Sequence, residues 1–201
     1  FFTFHEKKRP YLILKWAESK DGFIDQDFKP TKISNDLASQ FVHQIRSEEH
    51  AILVGTQTAL NDNPSLTTRL VEGRNPVRIL IDFDLKVPRN FKIYNDEAPT
   101  LVFNQEKEEE EGNVKFIKIS KVNFMEELMQ KLYENQIQSV LVEGGSRTLQ
   151  TFIDQNLWDE IIIIKNENLL LENGTKAPKF NGKTTEEKFF RDNIVSIYRN
   201  L

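Results

Sequence analysis

The sequence predicts an α/β fold, a mostly parallel central sheet flanked by helices. Three observations support it. Short apolar runs recur at residues 51–54, 77–81, 100–103, 139–142 and 161–164, each bounded by turn residues, as buried strands are. Stretches with apolar residues at helical spacing lie between several of them, and such alternation builds parallel sheets. The run 139–142 leads through Glu143, Gly144 and Gly145 straight into one of these helical stretches. In sheets of this kind ligands sit beyond the carboxyl ends of the strands.

Taken in order, residues 1–9 form a polar, basic-ended lead-in, closed by Arg9 and Pro10 in a pairing that favours extended backbone. Tyr11 to Trp16 is apolar enough for a strand buried on both faces, and Ser19 to Gly22 is a turn. Lys15 is the odd charge inside that strand. It either reaches sideways to solvent or serves a site. Ser34 or Asn35 caps a helix with an apolar face of Leu37, Phe41 and Ile45. Arg46, near the end of that helix, either complements the helix dipole or holds a ligand phosphate. Gly55 follows the strand 51–54, and a short helix over 56–62 stops at Asn63 and Pro64. Residues 65–69 resume an extended path that ends in Arg69.

The strand 77–81 ends in Asp82, and 100–103 is the next. Glu108 to Glu111 reads as a solvated loop before a strand at 114–119. Asn123 with Glu126 resembles a capping box, opening a helix with Phe124, Leu128 and Leu132 on its inner face. After the strand 139–142, Ser146 is a good N-cap for a helix that buries Leu149, Phe152 and Ile153. The glycine pair either provides only the bend or lets a ligand approach a helix N-terminus, where backbone N–H groups attract anions. The segment 172–188 is a long polar loop, suited to be mobile or to act as a lid, and 194–198 is a closing strand. Lys15, Gly55, Asp82 and Glu143 all fall at or near strand ends, and so form one inferred constellation.

Composition narrows the function classes. The chain has 201 residues, no cysteine and three histidines without metal-ligand spacing, so disulfides and thiolate metal sites are excluded and no metal is expected. A net charge of −4 gives no reason for a nucleic-acid partner, and the apolar runs are too short to span a membrane. The chain opens on Phe1 with no basic-then-apolar signal, so a piece of a longer, cytoplasmic protein is expected.

Three blocks then resemble a known family. Residues 10–22 (PYLILKWAESKDG), 51–67 (AILVGTQTALNDNPSLT) and 141–145 (LVEGG) are similar, in order, to the reductase domain of the bifunctional riboflavin-biosynthesis deaminase/reductase. Residues 1–9 resemble the join after the family's deaminase half, leaving 10–201 as the reductase domain. The resemblance implies a dihydrofolate-reductase-like fold, commonly a homodimer, and NADPH-dependent reduction of 5-amino-6-(5-phosphoribosylamino)uracil to its ribitylamino product. An N-terminal zinc deaminase, absent here, would precede it in the native protein. Carried over by position, Ala17, Lys32, Thr58, Asp62 and Gly145, Ser146, Arg147, Thr148, Leu149, Gln150 and Thr151 contact the cofactor. Arg46, Leu66, Arg69 and Glu143 hold the phosphorylated substrate. Two positions depart from the pattern. Lys32 stands where the family often has tryptophan, and Phe83 where it has a small hydroxyl residue, with Lys86 as a substitute reader of the cofactor's 2′-phosphate.

The expected chemistry is hydride transfer to the opened ribosyl carbon, with the reacting atoms held roughly 3–3.5 Å apart. Lys15 and Asp62 are the candidate proton donors. A non-catalytic nucleotide-binding module and a pterin reductase of the same fold are the alternatives.

Overall fold

A computed structural model describes residues 2–200. Its first half runs α1 (Phe2–Lys7), β1 (Tyr11–Ser19), α2 (Asp36–Glu48), β2 (Ala51–Gly55), α3 (Thr56–Asp62), β3 (Val77–Ile81) and β4 (Thr100–Asn104). The second half runs β5 (Glu109–Glu111), β6 (Val114–Lys118), α4 (Phe124–Glu134), β7 (Ser139–Val142), α5 (Ser146–Asp154), β8 (Glu160–Asn166), β9 (Glu186–Phe190) and β10 (Asn193–Arg199). All ten strands join one sheet in the order β5-β6-β4-β3-β2-β7-β1-β8-β10-β9. From β6 to β8 in that order the strands are parallel, and antiparallel pairs close both margins. This is the expected α/β class.

Register decides which side chains meet. β1 and β7 pair as Leu12 with Val140, Ile13 with Leu141 and Leu14 with Val142. Side chains alternate along a strand. Leu12, Leu14, Val140 and Val142 therefore join the core covered by Leu128 and Leu132 of α4 and by Leu149 and Phe152 of α5. Ile13 and Leu141 join the opposite core, covered by Ala38, Val42 and Ile45 of α2. The next residue along each strand is Lys15 and Glu143. Both consequently face the α2 side, at the carboxyl end of the sheet. Leu149 and Phe152 are 1% and 0% exposed, and burial of each stabilises the fold by roughly 1.5–3 kcal/mol.

Several local expectations need correction. Residues 2–7 are helical, with Phe4 buried against Tyr133 (ring centroids 4.6 Å apart), and Arg9 forks onto Asp159 at 2.6 and 2.9 Å. Asn35 does cap α2, but the buried stripe is Ala38, Val42 and Ile45, rotated so that Leu37 stands exposed. The N-cap of α5 is Gly145, which has no side chain to cap with, and Ser146 is already helical. No capping box forms at α4: the Asn123 side chain makes no cap bond, and Glu127 instead accepts the Ser120 N–H at 2.8 Å. The acidic stretch is not simply a loop. Glu109–Glu111 forms an edge strand beside β6, with Lys107 bonded to Glu109 and Glu111, and Gly112 at φ +61° makes the tight turn. The end of the long polar loop is likewise a strand, β9, whose charges suit an edge.

The rest of that loop is pinned. Asp21 accepts the N–H groups of Leu171 and Glu172, Asp25 accepts that of Thr175, and Phe180 packs edge-on against Trp158 and Tyr198.

Candidate active site

A cleft of about 1020 Å³ opens beyond the carboxyl ends of β1, β2, β3 and β7. Its middle is built by two turns packed together. A Cβ on Gly144 would lie 2.9 Å from the Gly55 nitrogen and 3.0 Å from the Val54 Cα, and one on Gly55 would lie 2.7 Å from Thr148 Oγ1. Gly144 is thus required by backbone contact between the β2–α3 and β7–α5 turns, whereas Gly55 makes room for the Thr148 side chain. Gly145 donates its N–H to Thr58 Oγ1 at 2.7 Å. That donor is engaged, so an anion at this turn would meet the N–H groups of Ser146, Arg147 and Thr148, with the Arg147 side chain beside them.

The floor on the α2 side is charged. Arg46 bonds Glu143 through two nitrogens, at 2.9 and 2.7 Å, and Lys15 Nζ lies 3.9 Å from the same carboxylate. The three side chains are only 10–13% exposed. Burial alone would push the Glu143 carboxyl up, but Arg46 and then Lys15 outweigh it and hold it at about 2. For Lys15 burial wins: its ammonium titrates below its ordinary value, with Glu143 opposing and Arg46 reinforcing the shift. Geometry explains the asymmetry, because the carboxylate is engaged in two bonds by Arg46 and is only at ion-pair distance from Lys15. The alternative that Lys15 reaches solvent is ruled out by its burial.

Lys15, Ala17, Lys32, Thr58, Asp62 and Glu143 line the cleft, as do Gly145, Ser146, Arg147, Thr148, Leu149 and Thr151. Lys32 pairs with Asp36 at 2.7 Å at the rim. Asp62 also stands at the rim, where partial burial and repulsion from Asp25 raise its carboxyl.

Other expected residues are placed elsewhere. Gln150 turns away, accepting the Lys179 N–H at 2.7 Å and donating to Asp154. Asp82 is fully buried and ties Thr56 Oγ1 to the Val87 N–H, so it shapes the β3 turn and leaves the constellation. Arg46 does not share a phosphate fork with Arg69, because its bonds go to Glu143. Leu66 is 4% exposed, buries its side chain in the core at φ +55°, and does not line the cleft. Arg69 is exposed, with Nη1 3.1 Å from Ser65 Oγ and its backbone N–H donated to His43 Nδ1 at 3.0 Å.

Sequence inspection missed two features. Lys121 bonds Asp84 at 2.7 Å, Lys86 bonds the same carboxylate at 2.9 Å, and all three line the far end of the cleft beside Phe83 and Phe124. Only Lys86 carried a local signal. His43 is the other: it is buried on the sheet-facing side of α2, within the electrostatic reach of Arg46, Arg69, Lys15 and Glu143.

A cleft at the strand ends, a glycine turn running into a helix and a buried lysine–carboxylate pair beside it give the chain the layout of α/β domains that take a ligand beyond the carboxyl ends of their strands. Comparison with known proteins agrees: residues 10–170 match the RibD C-terminal domain, and the chain belongs to that family. It is 36% identical over 170 residues to the riboflavin biosynthesis protein RibD of Aquifex aeolicus, covering 81% of this chain and 48% of that protein. It is 36% identical over 173 residues to a 2,5-diamino-6-ribosylamino-4(3H)-pyrimidinone 5′-phosphate reductase of Archaeoglobus fulgidus, covering 77% of this chain and 79% of that one. The crystal structure of a diaminohydroxyphosphoribosylaminopyrimidine deaminase/5-amino-6-(5-phosphoribosylamino)uracil reductase from Thermotoga maritima superposes with a TM-score of 0.89. It is 31% identical and covers 100% of this chain and 59% of that one. Dihydrofolate reductase from Enterococcus faecalis, at 13% identity and a TM-score of 0.56 (94% and 95% of the two chains), shares the fold alone. The chain spans about half the length of the RibD relative from Aquifex aeolicus.

Proposed function

We propose that the chain is an NADPH-dependent reductase that converts the ribosyl group of 5-amino-6-(5-phosphoribosylamino)uracil to ribityl. The observation that carries this reading is that buried Lys15 and Glu143, the latter held by Arg46 behind it, line the same cleft as the glycine turn. The donor set suits a dinucleotide: Ser146 to Thr148 and Arg147 would hold its diphosphate, and Ala17 the nicotinamide end. Lys86 and Lys121 outnumber Asp84 at the opposite end, which favours a 2′-phosphate over a bare 2′-hydroxyl. When bound, the reduced nicotinamide supplies the hydride.

The chain's own residues do the rest. Glu143, kept ionised by Arg46, accepts hydrogen bonds from sugar hydroxyls. Lys15, with its ammonium destabilised by burial, is the proton donor of choice over the rim residue Asp62. Arg69 meets the phosphate. A homodimer, an upstream deaminase half and a cytoplasmic setting belong to the same proposal.

The test is oxidation of NADPH that depends on the ribotide, run in parallel with the undeaminated pyrimidinone ribotide. Turnover of the uracil compound supports the proposal. Turnover of the pyrimidinone alone would reassign the base, and none with either would remove the activity. Lys15→Ala should lose turnover far more than Asp62→Ala; near-normal turnover of both at saturating substrate would overturn the proton-donor assignment.

A further inference from the structure

His43 has no part in the chemistry described above, yet it joins the two pieces of backbone that carry the arginines. It is 7% exposed and lies one helical turn before Arg46 on α2. Its Nδ1 accepts the backbone N–H of Arg69, which lies in the irregular segment after α3. An imidazole accepting at Nδ1 carries its proton on Nε2 when neutral. The segment it holds has little regular structure of its own. Leu66 sits at φ +55°, and Ser65 Oγ takes contacts from Thr67 Oγ1 at 3.3 Å and from Arg69 Nη1 at 3.1 Å. Ser65 thus aims the guanidinium, and His43 anchors the backbone that bears it. Arg46, Arg69, Lys15 and the Glu143 carboxylate all act electrostatically on the ring. Burial first and these cations next hold the ring at about 4, so it stays an acceptor at neutral pH.

We propose that His43 is a positioning residue for recognition of the substrate's phosphate, acting through Arg69 and touching neither substrate nor cofactor. The proposal rests on the reductase reading given above. Losing the acceptor frees the Arg69 backbone and with it the charge-assisted bond its guanidinium makes to a phosphate.

The test compares wild type, His43→Ala and His43→Asn on 5-amino-6-(5-phosphoribosylamino)uracil and on its dephosphorylated form. Asparagine restores an acceptor oxygen near the position of Nδ1. His43→Ala should raise KM for the phosphorylated substrate about tenfold, the loss of one bond's worth of binding, with kcat and the NADPH KM within about twofold. The dephosphorylated substrate should be unaffected, and His43→Asn should recover most of the loss. In an Arg69→Ala background the His43→Ala effect should vanish. Equal losses on both substrates, a fall in kcat alone, or additivity with Arg69→Ala would overturn the proposal. Should the variants not fold, the wild-type imidazole decides by ¹H–¹⁵N NMR: a neutral Nε2–H tautomer at pH 7 is expected, and a charged or Nδ1–H ring would overturn it. Wild type inactive on the ribotide would instead remove the reductase reading itself.

Discussion

Glu143→Gln is the most informative single change. The carboxylate sits between Arg46 and Lys15 with 10–13% exposure on all three, so removing its charge strands two buried cations. Folding holds its carboxyl at about 2 against an ordinary 4.5, and 1.36 kcal/mol per unit makes that about 3 kcal/mol of stability at neutral pH. Breaking a buried ion pair from one side costs about 3–5 kcal/mol, which agrees. For a chain of this size each kcal/mol moves Tm by roughly 2–4 °C, so the variant should melt about 6–12 °C lower at pH 7. The acid dependence has a definite sign. A depressed carboxyl contributes fully above its unfolded pKa and loses its contribution as pH falls through the folded value. The gap between wild type and variant should therefore shrink between about pH 4.5 and 2. Lys15 acts oppositely: its lowered pKa costs stability until pH approaches 10.5, and without Glu143 that cost grows. The gap should also narrow in alkali. Paired thermal melts across pH measure this. A difference below about 2 °C at pH 7, or a gap that widens in acid, would refute the reasoning.

Further changes probe the cleft. Gly144→Ala would push a Cβ against the backbone of Val54 and Gly55, so a loss of about 1–3 kcal/mol with weakened NADPH binding is expected in melts and fluorescence titration. Gly145→Ala meets only Thr58 Oγ1, at 3.0 Å, and should be milder. Thr58→Val removes the acceptor of the Gly145 N–H and should cost about 1–3 kcal/mol, measured by urea unfolding. Lys121→Ala should raise KM for NADPH several-fold and leave that for NADH unchanged, because the NADH ribose carries no 2′-phosphate; equal changes would exclude Lys121 from phosphate recognition.

What the sequence disclosed and what it hid follow from the range of each interaction. The β7–Gly-Gly–α5 unit was legible because strand, turn and helix are local signals. Lys15 was legible as an anomaly, a charge in an apolar run, but its partners arrive from α2 and β7 through sheet topology. Arg78 shows the limit. It lies in the apolar strand β3, is fully buried, and bonds Thr100 Oγ1, Lys92 O, Asn95 and Ala98 O. Those acceptors lie in the segment between β3 and β4 and, for Thr100, at the start of β4, and reach Arg78 only once the chain has folded back, so pattern alone gave it no role. The Lys121–Asp84 pair and the His43–Arg69 bond are hidden for the same reason. Gln150 failed differently: position along α5 was inferred correctly, but the helix turns it toward Lys179.

The measurement that bears most directly on the account is an amide-resolved NMR titration with NADPH. Saturable shifts confined to the Ser146–Thr148 turn, the rim from Phe83 to Lys86 and Lys121, and Ala17 are the predicted result. Shifts scattered outside the cleft, or no binding at millimolar NADPH, would contradict the assignment of this cleft to a reduced dinucleotide.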